Sequence, residues 1–449
     1  MESTYESQKE KIVEADSIVF SADITNEEAH IIQELKEKQG KTLVCPEAKG
    51  YQDFLKAYSS VSGYHVFKGD LETLAASDVV ISLGVWFQDE STESIPVVHK
   101  LLEEKKPKFV YMHPIEDAEL QSRITQFIKY EVGSEEGVAA LLADALLEDK
   151  TLPQEIEDIL EDLDIGYLSA ESNVGEEELE SMLDLIDDTA TLSLVIGSDL
   201  YTHPKAAQIA KLIALLEQYA GVNILCLPPA DNALGVALIC DLEDVVQGQK
   251  IIYKSCQEGT YVNSDKCLTV NDEMQASDVD GLNSIATILG VDTQTLLAYT
   301  NQLPKEKGFQ ILSEGDIKKP CIYRVIPQEQ IRDIVIDEID DLPVYDGAVI
   351  YTYKKAENEI AKEREKEEIL RGSQQFAMAT KLQDGDLISF EIEGVKFMRV
   401  FKIDTSMKGI IALNPAYEIN LSASLLSSYR FSRLAFEKIN NQKIGNNDE

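Results

Sequence analysis

Apolar residues recur along the first third of the chain in short runs separated by longer amphipathic stretches. Asp16–Ser21 (DSIVFS), Thr42–Cys45, Val79–Leu83 (VVISL) and Phe109–Met112 (FVYM) are brief β-branched or aromatic runs, and each predicts a strand. Between the first two, Thr25-Asn26-Glu27-Glu28 has the form of a capping box. In that motif a threonine hydroxyl caps a helix and a glutamate three residues on reaches back. Ile31, Ile32 and Leu35 then supply an apolar face, and Gly40 is a fitting stop. A helix through Val97–Glu104 precedes the fourth strand, and Gly137–Leu147 reads as a strongly apolar helix. Strands alternating with helices predict an α/β fold with a parallel sheet covered on its faces.

The alternation resumes at Leu192. Leu192–Gly197 and Val222–Leu227 read as strands flanking a helix that opens at Thr202-His203-Pro204 and runs through Tyr219. Thr202 is the candidate cap, and proline belongs in a first turn. Asp231–Cys240 is apolar and rich in small residues, Ile251–Lys254 is another strand, Gly259-Thr260 a turn and Leu282–Leu289 a short helix. Lys354–Arg371 alternates charges at helical spacing, which predicts an exposed, salt-bridged helix. Beyond it the pattern turns to period two: Leu387–Ile392, Val395–Ile403 and Gly409–Leu413 are strands, with turns at Asp384-Gly385-Asp386 and Glu393-Gly394. The polar residues from Asn440 onward predict a frayed end. The expected division is a polar tail at 1–13, a first α/β lobe at 14–147, a connector at 148–190, a second lobe at 191–353, a charged helix or linker at 354–372 and a β-rich domain at 373–449.

Charge narrows the function. With 41 Lys and Arg against 81 Asp and Glu, the 449-residue chain carries a net charge of −40. Such a field repels phosphate backbones, so nucleic acid and anionic membranes are disfavoured partners. The connector is the extreme: Glu148–Asp188 holds 16 acidic residues and one lysine, Lys150. Spaced Ile156, Ile159, Leu160 and Leu163 predict one or two acidic amphipathic helices, read first as a solvated face and second as a docking face for a basic partner. The start of the chain lacks a secretory core or twin arginines, and no apolar run is long enough to span a membrane.

The usual chemical motifs are missing. The sequence contains no dinucleotide-binding glycine spacing, no P-loop and no nucleophile elbow. Six cysteines form no Cys-x-x-Cys pair; Cys45, Cys226 and Cys240 lie in apolar segments and read as small buried hydrophobes. The five histidines are scattered without ligand spacing, so no catalytic residue and no metal site is predicted. Trp86 and Phe87 follow a strand end, where they would line a crevice or pack beneath a loop.

Several stretches together carry a resemblance. They are Ser193–Leu200 with Tyr201–Lys205, Pro228–Ala237, Gln257–Lys266 (QEGTYVNSDK), and Lys381–Asp386 with Gly409–Pro415. Thr25–Glu28, Phe54–Gly63 and Gly133–Leu147 add to it. They resemble the molybdopterin-oxidoreductase-like part of one peripheral-arm component of the bacterial proton-pumping NADH-quinone oxidoreductase (respiratory complex I), over roughly residues 14–449. The resemblance implies two Rossmann-like parallel-sheet lobes and a C-terminal β-barrel module of the double-psi kind. In that family the glycine-then-acid helix matching Gly133–Leu147 lies near the cofactor guanine. The sequence also departs from the pattern. The ferredoxin and cluster-binding cysteine sections that precede this part in the family are absent, and Lys266-Cys267 stands where active members of the wider superfamily commonly have Gly-Arg. No cysteine lies between Cys45 and Cys226 to serve as a molybdenum ligand.

The resulting expectation is an accessory, structural subunit of an NADH-quinone-oxidoreductase-like respiratory complex, without redox centres or cofactors of its own. Its partners would be other subunits of that complex, and its location the cytoplasmic side of the inner membrane, held there by those partners. The alternative is an oxidoreductase, or half of one, that binds molybdopterin guanine dinucleotide and needs an iron–sulfur partner. Gly197, Asp199, Asn232, Gly259 and Thr260 are then the pocket candidates. A third reading is a stand-alone small-ligand binder.

Overall fold

The computed structural model describes residues 2–88, 94–118, 120–187, 190–271, 279–345, 347–354, 369–416, 427–433 and 437–438. Two parallel sheets and one mixed sheet organise it. The larger parallel sheet runs, edge to edge, Gln126–Ile128, Lys108–Met112, Val79–Leu83, Leu192–Ile196, Asn223–Cys226. Its three inner strands are buried almost throughout, as continuous apolar runs covered on both faces require. The smaller parallel sheet orders Thr42–Val44, Ser17–Val19, Lys250–Ile252.

The sheets do not follow the two blocks expected at 14–147 and 191–353. Leu192–Ile196 pairs with Val79–Leu83, and Lys250–Ile252 pairs with Ser17–Val19. Each parallel sheet therefore draws strands from both blocks. Gln126–Ile128 is a short edge strand that the pattern does not reveal.

Signals carried by neighbouring residues are realised in the structure. Thr25 Oγ1 accepts from Glu28 N while Glu28 Oε2 accepts from Thr25 N, and the helix Asn26–Gln39 ends at Gly40 in the left-handed region, at φ 70°. The hairpin turn at Glu393-Gly394 takes φ of 49° and 77°, joining Leu387–Ile392 to Val395–Ile403. Other expectations need correction. The stretch read as a polar tail includes the helix Glu2–Glu14, whose Ile12 is buried. Thr202 caps nothing: the helix starts at Ala206, and His203 Nδ1 accepts from Lys205 N just before it. The acidic connector is three helices, Gln154–Glu161, Ile165–Ser172 and Glu176–Leu183, the last two packed on the apolar helix Glu135–Leu147. Most of the expected charged helix, residues 355–368, and the expected frayed end from Asn440 lie outside the described residues.

The C-terminal part is a seven-stranded mixed sheet. Its order is Phe431–Arg433, Val349–Lys354, Ile411–Ala416, Ile369–Gly372, Val395–Ile403, Leu387–Ile392, Glu437–Lys438. Parallel pairs (349–354 with 411–416, 369–372 with 395–403) alternate with antiparallel ones, giving the barrel-like module its crossed connections. It has a core of its own around Phe376, Phe390, Phe397 and Phe401. A second cluster, with Trp86, Val132, Tyr351, Tyr429 and Phe431, joins it to the strand ends of the large sheet.

Candidate functional site

Strand register builds the site. Leu83 lies level with both Met112 and Ile196, so Gly84, His113 and Gly197 emerge side by side at the carboxyl edge of the large sheet. The chain winds outward in one direction from Val79–Leu83 and in the other from Leu192–Ile196. The boundary between these strands is the switch point, where doubly wound sheets form their ligand crevice.

The ladder of these two strands continues past their ends, with Gly197 N donating to the Leu83 carbonyl at 3.0 Å. A Cβ on Gly197 would lie 1.9 Å from the Gly84 carbonyl oxygen, so the two backbones are in direct contact. Beyond them Asp199 is fully enclosed. His113 Nδ1 accepts from Ile115 N at 3.0 Å, which leaves the proton on Nε2, and Nε2 donates to Asp199 Oδ2 at 3.0 Å. Tyr351 OH donates to Asp199 Oδ1 at 3.0 Å, and Arg430 Nε stands 3.4 Å from the same oxygen. Arg430 Nη1 also donates to Tyr351 OH at 3.2 Å. Trp86 meets Tyr351 and Tyr353 edge-on, at centroid distances of 5.4 and 4.9 Å. Of the two readings for Trp86, the structure realises packing beneath an overlying element, here the barrel.

A second cluster repeats this composition. Tyr429 OH donates to Glu135 Oε1 at 2.5 Å and accepts from Gly133 N at 3.1 Å. His203 Nε2 donates to the Gly133 carbonyl at 3.2 Å, with Glu135 Oε2 at 3.3 Å. Burial among apolar and acidic groups raises the Tyr429 hydroxyl well above its ordinary range. Each cluster joins a carboxylate and a histidine of the α/β part to a tyrosine of the barrel. Spacing along the chain sets all the histidines aside as scattered, and so misses both clusters. The available signal is position: His113 directly follows the strand ending at Met112, and Asp199 stands three residues past Ile196.

The other three candidates lie elsewhere, around the amino end of the helix Asn26–Gln39. Asn232 Nδ2 donates to the Ile24 carbonyl at 2.6 Å and its Oδ1 accepts from Val262 N at 2.8 Å. Thr260 donates to Glu27 twice, from N at 2.7 Å and Oγ1 at 2.9 Å, and Thr300 Oγ1 adds a third bond at 2.6 Å. Gly259, at φ 146°, leaves no room for a side chain: a Cβ would come within 2.3 Å of Glu27 Oε2. Burial drives the Glu27 carboxyl up to about 7, against the opposing pull of those hydrogen bonds. The five predicted residues thus fall into two groups, Gly197 with Asp199 and Asn232 with Gly259 and Thr260. Lys266, at the position marked by its departure from Gly-Arg, is buried with its ammonium on the carbonyls of Phe67, Lys68 and Gly69. Burial lowers it to about 8. Its neighbour Cys267 forms a disulfide with Cys321, a pairing that no cysteine spacing signals, while Cys45, Cys226 and Cys240 are free and buried as expected.

Among the described residues no three His, Cys, Asp or Glu side chains converge as metal ligands, and no helix is long and apolar enough to cross a membrane. One surface cavity among them, of about 520 Å³, has a mixed-charge lining including His30, Glu34, Lys56 and Lys305, and another, of about 400 Å³, lies beside the acidic connector.

No family model and no curated protein matches the chain. Among solved structures, acetylene hydratase from Pelobacter acetylenicus superposes with a TM-score of 0.62, covering 95% of this chain and 84% of that chain at 8% sequence identity. The fold is that of the molybdopterin oxidoreductases. The formyltransferase/hydrolase complex FhcABCD from Methylorubrum extorquens, in complex with methylofuran, reaches only 0.32 at 12% identity, over 50% of this chain and 57% of that chain, and carries no argument. At such identities the likeness speaks for architecture alone.

At the switch point the groups around Asp199 bond to one another and aromatic rings pack over them. Gly84 and Gly197 lie against each other as the next residues of paired strands, and Trp86 packs on Tyr351 and Tyr353. Gly133 and Glu135, on the stretch expected near a cofactor guanine, are taken by Tyr429 and His203. A Cβ on Gly133 would also strike the Tyr345 ring at 2.6 Å. Ser82 Oγ, Trp86 Nε1 and Tyr130 OH are buried without a hydrogen-bond partner among the described residues.

Proposed function

We propose that this chain is an accessory, structural subunit that keeps the molybdopterin-oxidoreductase fold and acts through its surfaces rather than through a cofactor. The observation that carries the proposal is the filled switch point, where Asp199, His113, Tyr351 and Arg430 use one another's polar groups beneath an aromatic cover. Catalysis needs a reacting atom within reach of an activated group, and here Asp199, His113 and Tyr351 are buried with their bonds directed to one another, while Arg430 is half-buried. The resemblance to the molybdopterin-oxidoreductase-like component of respiratory complex I supports the finer part of the reading. In it the parent assembly is a respiratory complex of the NADH-quinone oxidoreductase type, and partner subunits hold the chain at the cytoplasmic face of the membrane. The test is affinity purification of the tagged full chain from its native cells, with the associated proteins identified by mass spectrometry. Stoichiometric proton-pump and iron–sulfur subunits are the expected result; recovery of the chain alone would overturn the reading.

A second reading, a molybdopterin-binding oxidoreductase dependent on an iron–sulfur partner, is favoured by the structural likeness over 95% of the chain. Metal analysis separates the two. Stoichiometric molybdenum or tungsten, with pterin fluorescence released on denaturation, establishes the second reading and removes the first.

A further inference from the structure

The cavity beside the connector has the composition of a docking groove. Its apolar walls are Ile159, Leu163 and Tyr167 of the connector, facing Ile336 and Ile339 of the irregular segment 326–342. All five are half-buried, so apolar surface remains open to solvent in a space of about 400 Å³. Its rim is acidic on both sides: Asp162 and Asp164 on one, Asp337 and Glu338 on the other, all exposed. The cations beneath the second side are already engaged, Lys211 with Asp337 at 3.8 Å and Lys205 with Asp340 at 3.3 Å.

The groove is built on fixed backbone. Gln208 holds Asp337 by its side chain, accepting from Asp337 N at 3.2 Å and donating to its carbonyl, and Tyr167 OH accepts from Leu342 N at 2.8 Å. The same segment leaves Ile331 93% exposed and Val335 53% exposed, an unusual display of aliphatic surface in so acidic a region. Solubility alone accounts for charge, but not for open aliphatic walls between two charged rims.

We infer that this groove docks a basic amphipathic segment of another protein, with a large aliphatic side chain seated between Leu163 and Ile339 and flanking lysines or arginines against the rims. Charge complementarity selects the occupant: an acidic or neutral segment would set its own groups against four rim carboxylates. The groove is remote in composition from the buried clusters, and the inference stands whether or not the parent complex is of the NADH-quinone type.

The probe is a fluorescein-labelled 14-residue peptide built from Leu-Lys-Lys-Leu repeats, titrated with the full chain at physiological salt and followed by anisotropy. Saturable binding is expected. Asp162→Lys combined with Glu338→Lys should weaken it about tenfold. Asp384→Lys combined with Asp404→Lys makes the same charge change on the barrel and should alter it less than about twofold. A peptide with every leucine replaced by serine, which requires no protein variant, should also lose about tenfold. Equal weakening by both double variants, or undiminished binding of the serine peptide, would reduce the effect to bulk attraction toward a highly acidic chain and overturn the inference. So would failure to saturate below about 1 mM. None of these outcomes bears on the subunit or pterin readings, which rest on co-purification and metal content.

Discussion

Asp199 and Glu27 are both buried carboxylates near the start of a turn or helix, and the chain treats them in opposite ways. Asp199 meets a histidine N–H and stands beside a guanidinium, so its charge is answered by charge and by an oriented dipole. Glu27 meets two threonine hydroxyls and one peptide N–H, all neutral, and burial lifts its carboxyl to about 7. The Asp199 cluster fastens two modules, the large sheet and the barrel. The Glu27 cluster fastens segments within the α/β part, drawing together residues near 27, 260 and 300. A junction between modules that shed little backbone freedom on docking is secured by few strong polar contacts. Glu27, at the start of its helix, instead ties in the strand that begins at Thr260 and the helix that ends at Thr300, each bringing its own donor.

The largest test concerns room in the crevice. Gly197→Ala places a methyl group against the Gly84 carbonyl and is expected to cost more than about 4 kcal/mol, read as a shifted urea midpoint. A variant of parental stability would mean that the strand ends can part, and the contrast between a closed junction and a neutral cap would collapse. Next, Asp199→Ala takes the acceptor from His113 Nε2 and from Tyr351 OH and removes a carboxylate that stands beside Arg430. A loss of about 3 kcal/mol is expected, as for other buried pairs broken on one side. A loss below about 1 kcal/mol would show that Arg430 reaches solvent and that the cluster is peripheral.

How much of this is legible in the residues depends on distance along the chain. The capping box at Thr25–Glu28 and the turn at Glu393-Gly394 are readable because the interacting groups lie within four residues of each other. The strands of the large sheet are readable as apolar runs, but their neighbours are not. Nothing in Leu192–Ile196 specifies pairing with Val79–Leu83 rather than with a strand of its own block. The candidates Asn232, Gly259 and Thr260 lie together around the start of one helix, while Gly197 and Asp199 lie apart from them at the edge of the large sheet. Asp199 finds its partners, His113 and Tyr351, 86 and 152 residues away. The helix Glu2–Glu14 escapes notice because its sequence is polar, with Ile12 the buried position among residues 8–14.

The Glu27 half of the comparison is sharpened by pH. An unfolded glutamate ionises near 4.5, while the folded one holds its proton to about 7. Below both values the group is protonated in either state and adds no pH dependence. As pH rises between them the unfolded chain releases a proton that the folded chain retains, so stability falls; above about 7 the penalty is constant. Glu27→Gln removes this dependence. Between pH 5.5 and 8.5 the stability of the variant relative to the parent should therefore rise by roughly 2 kcal/mol. A flat difference would mean that Glu27 is ionised in the fold.

The smallest expected effect separates the two tyrosines of the barrel. Tyr429→Phe deletes a hydroxyl that donates to Glu135 and accepts from Gly133 N, leaving a buried amide and a buried carboxylate oxygen short of partners. Tyr351→Phe deletes a hydroxyl whose acceptor, Asp199, keeps His113 and Arg430, and whose donor, Arg430 Nη1, belongs to a half-buried side chain within reach of water. Both rings remain to fill the same aromatic cluster, so packing contributes equally. The cost at Tyr429 should exceed that at Tyr351 by about 1 kcal/mol, because an orphaned buried group loses more than a group with remaining partners. The reverse order would mean that the Asp199 cluster, and not the Glu135 cluster, depends on the barrel for its polar balance, and that Arg430 is held in place by Tyr351 rather than by charge.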